Sequence, residues 1–406
     1  MKKEFKPDEL RQTAEEIRSA IMPKTITPEM VGGTMLGVVD ALGEVVEVLG
    51  EIPREHVRVK VRGYDGTAGV SGTGATVWLD VFHTKGYPAV AVPRQELTAD
   101  EDGVVEFDVP HGFKYAVFSQ IDGLGASFQV VFDAVAEHRD VNLWNFPVGV
   151  WALGHTDVAL YADEEAGREY DRYRAIPFIT DAFTDDLEGD YGEDVTNWDI
   201  DTANGECSEG SWFIGVLVST VDTSFAIGKN NLSDNTMEWC DSRDRNTVFP
   251  LMDYYALNRN SVDWDWDESV DKARADMDGN MNTAKILGFS PTHTAARWAA
   301  SSPSDYDEQR FLPSAGQLYI MWLNRTAINT IIQQFIDNGE DGYKLLPYQN
   351  DKGSWQNPNG HTEYWWSSSV LDAPCSWVVT YDGSINLNSS VGTTDVRAVS
   401  AFHFEY

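Results

Sequence analysis

Asp263, Asp265 and Asp267 begin in the spacing with which calcium-binding loops present their carboxylates. Glu268 then stands where such a loop needs glycine for its sharp turn, and Arg274 where its bidentate acid belongs. A second run, Asp185, Asp186, Glu188, Asp190, Glu193 and Asp194, is rich enough in carboxylates for a cation but lacks both the ligand order and the turn glycine. Both read as solvated acidic loops. With acids this plentiful, a glycosidase pair has no specific address. None of the eight histidines shows a recognisable pairing with a Ser or Cys nucleophile. Gly69, Gly72 and Gly74 have no helix behind them and do not make a phosphate loop. Cys207, Cys240 and Cys375 lack metal-ligand spacing and read as free thiols in a reducing compartment. No catalytic residue, metal or cofactor is expected.

The charge balance narrows the partners. The chain has 406 residues with 65 acidic against 30 basic side chains, a formal charge of -35, and its lysines and arginines are scattered singly. Such a surface does not coat nucleic acid or an anionic membrane. The chain carries no apolar run of about 18 residues and no hydrophobic leader at Met1–Leu10, so neither membrane insertion nor a signal peptide is expected. A 42% hydrophobic content with fourteen tryptophans suffices for buried cores.

The elements follow from periodicity. Val31, Met35, Val38, Leu42, Val45, Leu49 and Ile52 alternate spacings of four and three, a heptad seam that predicts an N-terminal coiled coil over residues 1–53, with a trimer as the expected homo-oligomer. Beyond Pro53 the period becomes two. Val57, Val59 and Val61, then Val77, Leu79 and Val81, then Val105, Phe107 and Val109 alternate with polar residues, and turns such as Asp102-Gly103, His111-Gly112 and Asp122-Gly123 separate them. This predicts an antiparallel β-sandwich over residues 54–145, and its order of signals resembles Ig-like carboxypeptidase-regulatory or PEGA-type modules, which act as spacers. From 146 to 406 an α+β domain with long loops is expected. Its two helices lie near Val270–Ala275 and over Ala315–Asn338, the latter opened by Pro313-Ser314.

Four segments of that last region belong together. They are Asp278-Gly279-Asn280-Met281-Asn282-Thr283-Ala284-Lys285-Ile286, Phe311-Leu312-Pro313-Ser314-Ala315-Gly316-Gln317-Leu318, Tyr364-Trp365-Trp366-Ser367-Ser368-Ser369 and Val396-Arg397-Ala398-Val399-Ser400-Ala401-Phe402. The combination resembles the C-type-lectin-fold variable proteins of diversity-generating retroelements, especially phage receptor-binding tail fibres. That fold is shared with formylglycine-generating enzymes, whose cysteine chemistry has no counterpart here. Gln317 departs from the Glu common in these families. The resemblance implies a non-enzymatic adhesin, a virion component, with a bacterial surface adhesin as the first alternative and an enzyme related to formylglycine-generating or cell-wall-degrading proteins as the second. Its variable segment would be about 364–402, and its partner a host cell-surface protein or glycan.

Retroelement mutagenesis at adenines turns an AAY codon into any NNY codon, which omits Trp, Lys, Glu, Gln and Met. Between residues 370 and 395 only Trp377 belongs to the omitted types. Strand alternation places Trp377, Val379 and Tyr381 inward and Val378, Thr380 and Asp382 outward. Past a turn at Gly383, Ser384, Asn386 and Asn388 continue the outward face. Val370, Leu371, Asp372, Ala373, Cys375 and Ser376 are expected in one flanking loop, and Ser389, Ser390, Thr393, Thr394 and Asp395 in the other. Arg397 reads as structural.

Overall fold

The computed structural model describes residues 53–65, 69–82, 94–155, 162–163, 168–169, 176–179, 212–228, 232–233, 236–241, 265–301, 308–337, 342–350, 354–356, 364–372, 375–389 and 393–402. The heptad seam and the 185–194 acidic run lie outside them. Within them β-sheet predominates, and helix is confined to five segments of 8 to 13 residues. The expected α+β class with an N-terminal coil and a C-type-lectin-like domain is therefore corrected to a predominantly β chain.

The first strands are β1 (Arg54–Tyr64), β2 (Gly69–Ser71), β3 (Thr76–Phe82), β4 (Gln95–Thr98), β5 (Val104–Pro110), β6 (Lys114–Gln120), β7 (Val130–Asp133) and β8 (His138–Asn145). They form two four-stranded sheets, β2-β1-β5 with β8 against β1, and β4-β3-β6-β7. Along β1, Val57, Val59 and Val61 are fully buried while Arg58, Lys60 and Arg62 are half-buried, so the period of two decides which face enters the core. These valines pack with Leu79, Phe107, Val117, Phe132 and Leu143 between the sheets. One pairing departs from the expected antiparallel sandwich: β8 runs parallel to β1, from His56 opposite His138 to Gly63 opposite Asn145.

Next come β9 (Gly149–His155), β10 (Ile176–Ile179), β11 (Trp212–Ser219), β12 (Ser224–Ile227), β13 (Glu308–Phe311), β14 (Tyr364–Asp372), β15 (Cys375–Thr380), β16 (Ile385–Ser389) and β17 (Val399–Phe402). One sheet has the order β10-β9-β11-β12-β17-β13, and a second, of three strands, the order β14-β15-β16. The helices are α1 (Trp266–Ala275), α2 (Gly279–Phe289), α3 (Thr294–Ser301), α4 (Ala315–Leu323) and α5 (Arg325–Asp337). The single long helix expected over 315–338 is thus two, because Asn324 ends α4 with both its backbone N–H and its side-chain amide on the Ile320 carbonyl. Two further helices, α2 and α3, had no expectation. α2 buries residues all round its circumference, so it lacks the one-sided stripe that reveals a helix.

Two cores meet at β15. Trp377 and Val379 join the large cluster containing Phe225, Leu318, Met321, Ile332 and Phe335. Val378 joins a separate cluster with Trp239, Ile286, Leu312 and Trp366. The strand is apolar on both faces because both are covered.

The strand β7 is joined to the later elements by amides. Gln309 Oε1 accepts from Val131 N at 3.1 Å and from Asn280 Nδ2 at 2.8 Å, while its Nε2 donates to the Val131 carbonyl at 3.1 Å. Asn280 Nδ2 also donates to the Gln129 carbonyl, and Gln129 Oε1 accepts from Met281 N.

Candidate ligand-binding site

Three of the four sequence segments that carry the resemblance converge on one buried polar network. Ser314 caps α4: its hydroxyl accepts from Gln317 N and donates to the Asp276 carbonyl at 2.6 Å. Gln317 Oε1 accepts from Ser314 N, closing a capping box, and its Nε2 donates to Thr223 Oγ1 at 3.0 Å. With an amide at 317 the Thr223 hydroxyl is the acceptor; a carboxylate there would have to receive that hydroxyl's proton in a hydrogen bond instead. The Asp276 carboxylate accepts from Ser369 Oγ at 2.6 Å, Asn282 Nδ2 at 2.9 Å and Asp278 N at 3.0 Å. Ser369 Oγ in turn accepts from Ala315 N, and Ser368 N donates to the Pro313 carbonyl. All these side chains are buried, so they hold the β14-β15-β16 sheet in place and meet no ligand.

Arg397 belongs to the same scaffold. It is fully buried, its guanidinium lies 5.6 Å from the Trp365 ring centroid, and it donates to the Lys344 and Leu345 carbonyls. Burial pushes its pKa down to about 10, against the pull of the Asp395 charge.

Burial sorts the expected contact residues. Val370, Leu371, Ser376, Val378, Thr380 and Asp395 are buried, so the face of β15 expected to point outward points into a core. The Ser376 hydroxyl donates to the Ser367 and Ser369 carbonyls, consistent with a structural role. The side chains of Asp372, Cys375, Ser389 and Thr394, and the residues Ala373 and Ser390, lie outside the described set. Asp382, Ser384 and Thr393 are exposed, and Asn386 and Asn388 are half-buried. Four of these five lie at or just after the β15–β16 turn. There Asp382 accepts from the Thr380 hydroxyl and from Ser384 N, and the Thr380 bond, the largest influence, holds its carboxyl below the usual range.

Beside that turn runs a ridge of half-buried rings and guanidinium groups. Trp322, in the last turn of α4, donates its indole N–H to the Tyr381 carbonyl at 3.1 Å and stacks on Tyr319 at 5.8 Å. Tyr381 meets Trp355 edge-on at 5.1 Å. Trp355 is held by a two-stranded ribbon, Tyr348–Gln349 against Trp355–Gln356. Arg325, the first residue of α5, lies 4.5 Å from the Trp322 centroid and 5.4 Å from that of Trp355. Arg274 closes the row 4.9 Å from Tyr319. The helix break at Asn324 puts Trp322 and Arg325 side by side, and the hairpin turn brings Tyr381 to them.

Sequence reasoning placed Trp322 on a helix's apolar stripe and passed over Trp355 and Arg325. The available signal was Trp322-Leu323-Asn324-Arg325, an aromatic ring followed by a helix stop and a cation. In the segment that opens β14, Tyr364 is exposed, whereas Trp365 and Trp366 are buried. Asp265 proves to be the cap of α1, accepting from Glu268 N. Among the described residues no cluster of three or more His, Cys, Asp or Glu is arranged to hold a metal ion, and no helix is long and apolar enough to cross a membrane.

No family model and no curated protein sequence matches the chain. Among solved structures, a fimbrial protein from Bacteroides ovatus is similar over 86% of this chain and 71% of its own, at 12% identity and a TM-score of 0.33. A Pseudomonas aeruginosa protein provisionally described as carbohydrate binding is similar over 23% of this chain and 90% of its own, at 19% identity and a TM-score of 0.18. The shaft pilin SpaA of Lactobacillus rhamnosus GG is similar over 25% of this chain and 60% of its own, at 11% identity and a TM-score of 0.19.

Proposed function

We propose that the chain is a non-catalytic adhesin that holds a cell-surface ligand on the ridge beside the β15–β16 turn. One observation carries this reading: Tyr319, Trp322, Arg325, Trp355 and Tyr381 form a contiguous row of large side chains left half-buried beside an exposed polar turn. A row that served packing alone would be covered, as Trp366 and Trp377 are. Flat rings beside Asp382, Ser384, Asn386 and Asn388 supply apolar area and hydrogen-bonding groups together, which suits a glycan or a polar protein surface. The test is binding of the fluorescently tagged full chain to intact bacterial cells. Trp355→Ala should reduce it by tenfold or more with little change in melting temperature. Full binding by a folded Trp355→Ala protein would remove the ridge from the reading.

A second, finer reading has its own observation. Asp382, Ser384, Asn386, Asn388 and Thr393, the exposed or half-buried members of the proposed contact set, are all types an NNY codon can encode, and the one excluded type in 370–395, Trp377, is fully buried. This is the division that retroelement diversification on a phage tail fibre would require. Sequencing the adjoining DNA tests it. A near-copy of the coding segment differing only opposite adenines, beside a reverse transcriptase gene, would support it; absence of both would leave an adhesin of fixed specificity on a bacterial surface.

A further inference from the structure

Resting on the adhesin reading above, we infer that the ridge takes a carboxylated sugar, with Arg325 reading the carboxylate and the flanking rings reading the pyranose. Arg325 differs from four other arginines, each of which faces a carboxylate. Arg94 pairs with Asp80 at 2.8 Å, Arg139 with Glu55 at 2.6 Å, Arg274 with Asp271 at 2.9 Å and Arg58 with Asp140 at 3.8 Å. Among the described residues Arg325 has no carboxylate within ion-pair distance, in a chain where acids outnumber bases 65 to 30. Its guanidinium is held instead by two indoles and by one bond, Nη1 donating to the Trp322 carbonyl at 2.9 Å. That bond uses one N–H and leaves the rest of a rigid planar fork for a ligand.

The surroundings limit what the fork can receive. A pyranose presents a face of C–H groups that packs on an aromatic ring, and Trp355 and Tyr381 offer two rings meeting edge-on beside the cation. Asp382, next in sequence to Tyr381, is exposed and accepts hydroxyl protons while repelling a second anionic group. The formal charge of -35 acts in the same direction over longer range. A polyanion is therefore opposed, whereas a single carboxylate separated from the next by neutral hydroxyls is matched to a single cation. An acidic peptide carries more charge per length and lacks the C–H face.

The experiment uses the full chain and multivalent probes bearing glucose, glucuronic acid or N-acetylneuraminic acid, with a glutamate-rich peptide as a fourth probe. One or both carboxylated sugars should bind at least tenfold more tightly than glucose, with the preference shrinking as salt is raised. Arg325→Gln should bring the ratio of acidic to neutral sugar close to one, and Arg325→Lys should restore part of it, because the charge returns without the planar fork. A thermal melt of each variant guards against loss of fold. Equal binding of glucose and the acidic sugars, or a preference that survives Arg325→Gln, would overturn the inference while leaving the adhesin reading intact. Stronger binding of the peptide would overturn it in favour of an acidic protein partner. Failure of every probe would also overturn it, and the cell-binding test with Trp355→Ala would then decide separately whether the ridge binds anything.

Discussion

Gly383 lies flat against the indole of Trp322. A Cβ built on this glycine would clash with Cδ2, Cε2 and Cε3 of the ring, and the residue sits at φ 85°, in the left-handed region. The Trp322 N–H reaches the Tyr381 carbonyl two residues earlier. The end of α4 and the β15–β16 turn are thereby locked together, and the exposed Asp382 and Ser384 take their positions from that contact.

Gly383→Ala should therefore cost more than a glycine substitution usually does. The positive φ accounts for about 1 kcal/mol and the forced displacement of Trp322 for about 1–3 kcal/mol more. Gly112 is the matched control. It has a similar φ of 87° but open space where a Cβ would go, so Gly112→Ala should lose only about 1 kcal/mol. Urea denaturation of the two variants measures the difference. Equal losses would mean that the indole moves aside freely.

Asp276→Ala should be among the most damaging single changes in the chain. It removes the acceptor of Ser369 Oγ, Asn282 Nδ2 and Asp278 N together, at a buried position. An expected loss of about 3–5 kcal/mol follows from leaving several buried donors without an acceptor. Asp276→Asn, which keeps one acceptor oxygen, should lose less. A chemical denaturation midpoint unchanged in Asp276→Ala would show that the segments meeting there are held by apolar packing alone.

Gln309 supplies one part of the joint between β7 and α2, beside the bonds that Gln129 makes to Asn280 and Met281. Gln309→Ala deletes all three of that side chain's bonds to Val131 and Asn280. Amide hydrogen exchange at Val131 should then accelerate by at least tenfold, while exchange in the β1 core at Val59 stays near the wild-type rate. Matching acceleration at both sites would indicate loss of the whole fold rather than a loosened joint.

Strands were legible in the chain wherever one face only is buried. Val57, Val59 and Val61 alternate with Arg58, Lys60 and Arg62, and the sheet follows the pattern. The same logic failed at β15, where Val378 and Thr380 were expected outside. A strand covered on both faces shows no alternation of environment, and Thr380 is polar yet buried because its hydroxyl serves the turn, bonding to Asp382 and the Ser384 carbonyl. The convergence of Ser314 and Ser369 on Asp276 spans 38 and 93 positions, for which local periodicity has no signal. Arg325 was missed for a related reason: what distinguishes it is the absence of an acid nearby in space, and spacing along the chain cannot report that.

The half-buried Asp278 and the buried His293 give the stability–pH profile opposing arms. Burial pushes the Asp278 carboxyl up to about 6 from its usual 3.8, helped by the charges of Asp276 and Asp80 and opposed by Lys285 and Arg94. The folded state holds that proton more tightly than the unfolded chain, so the group favours folding below about pH 4 and that contribution is lost as pH rises to about 6. Burial pushes His293 down to about 3 from 6.5, against the Asp241 charge. Its folded form sheds the proton, so stability falls as pH drops from about 6.5 towards 3. Between pH 4 and 6 the two arms partly cancel in the wild type. Asp278→Asn keeps an acceptor for Gln129 Nε2 but removes the carboxylate's charge. Its urea-derived stability should exceed that of the wild type at pH 8 by about 2–3 kcal/mol, the size expected for a shift of this extent, and should then fall more steeply on acidification. A variant no more stable than wild type at pH 8 would mean that Asp278 ionises there without penalty, with its carboxylate reached by water or neutralised by Lys285 and Arg94.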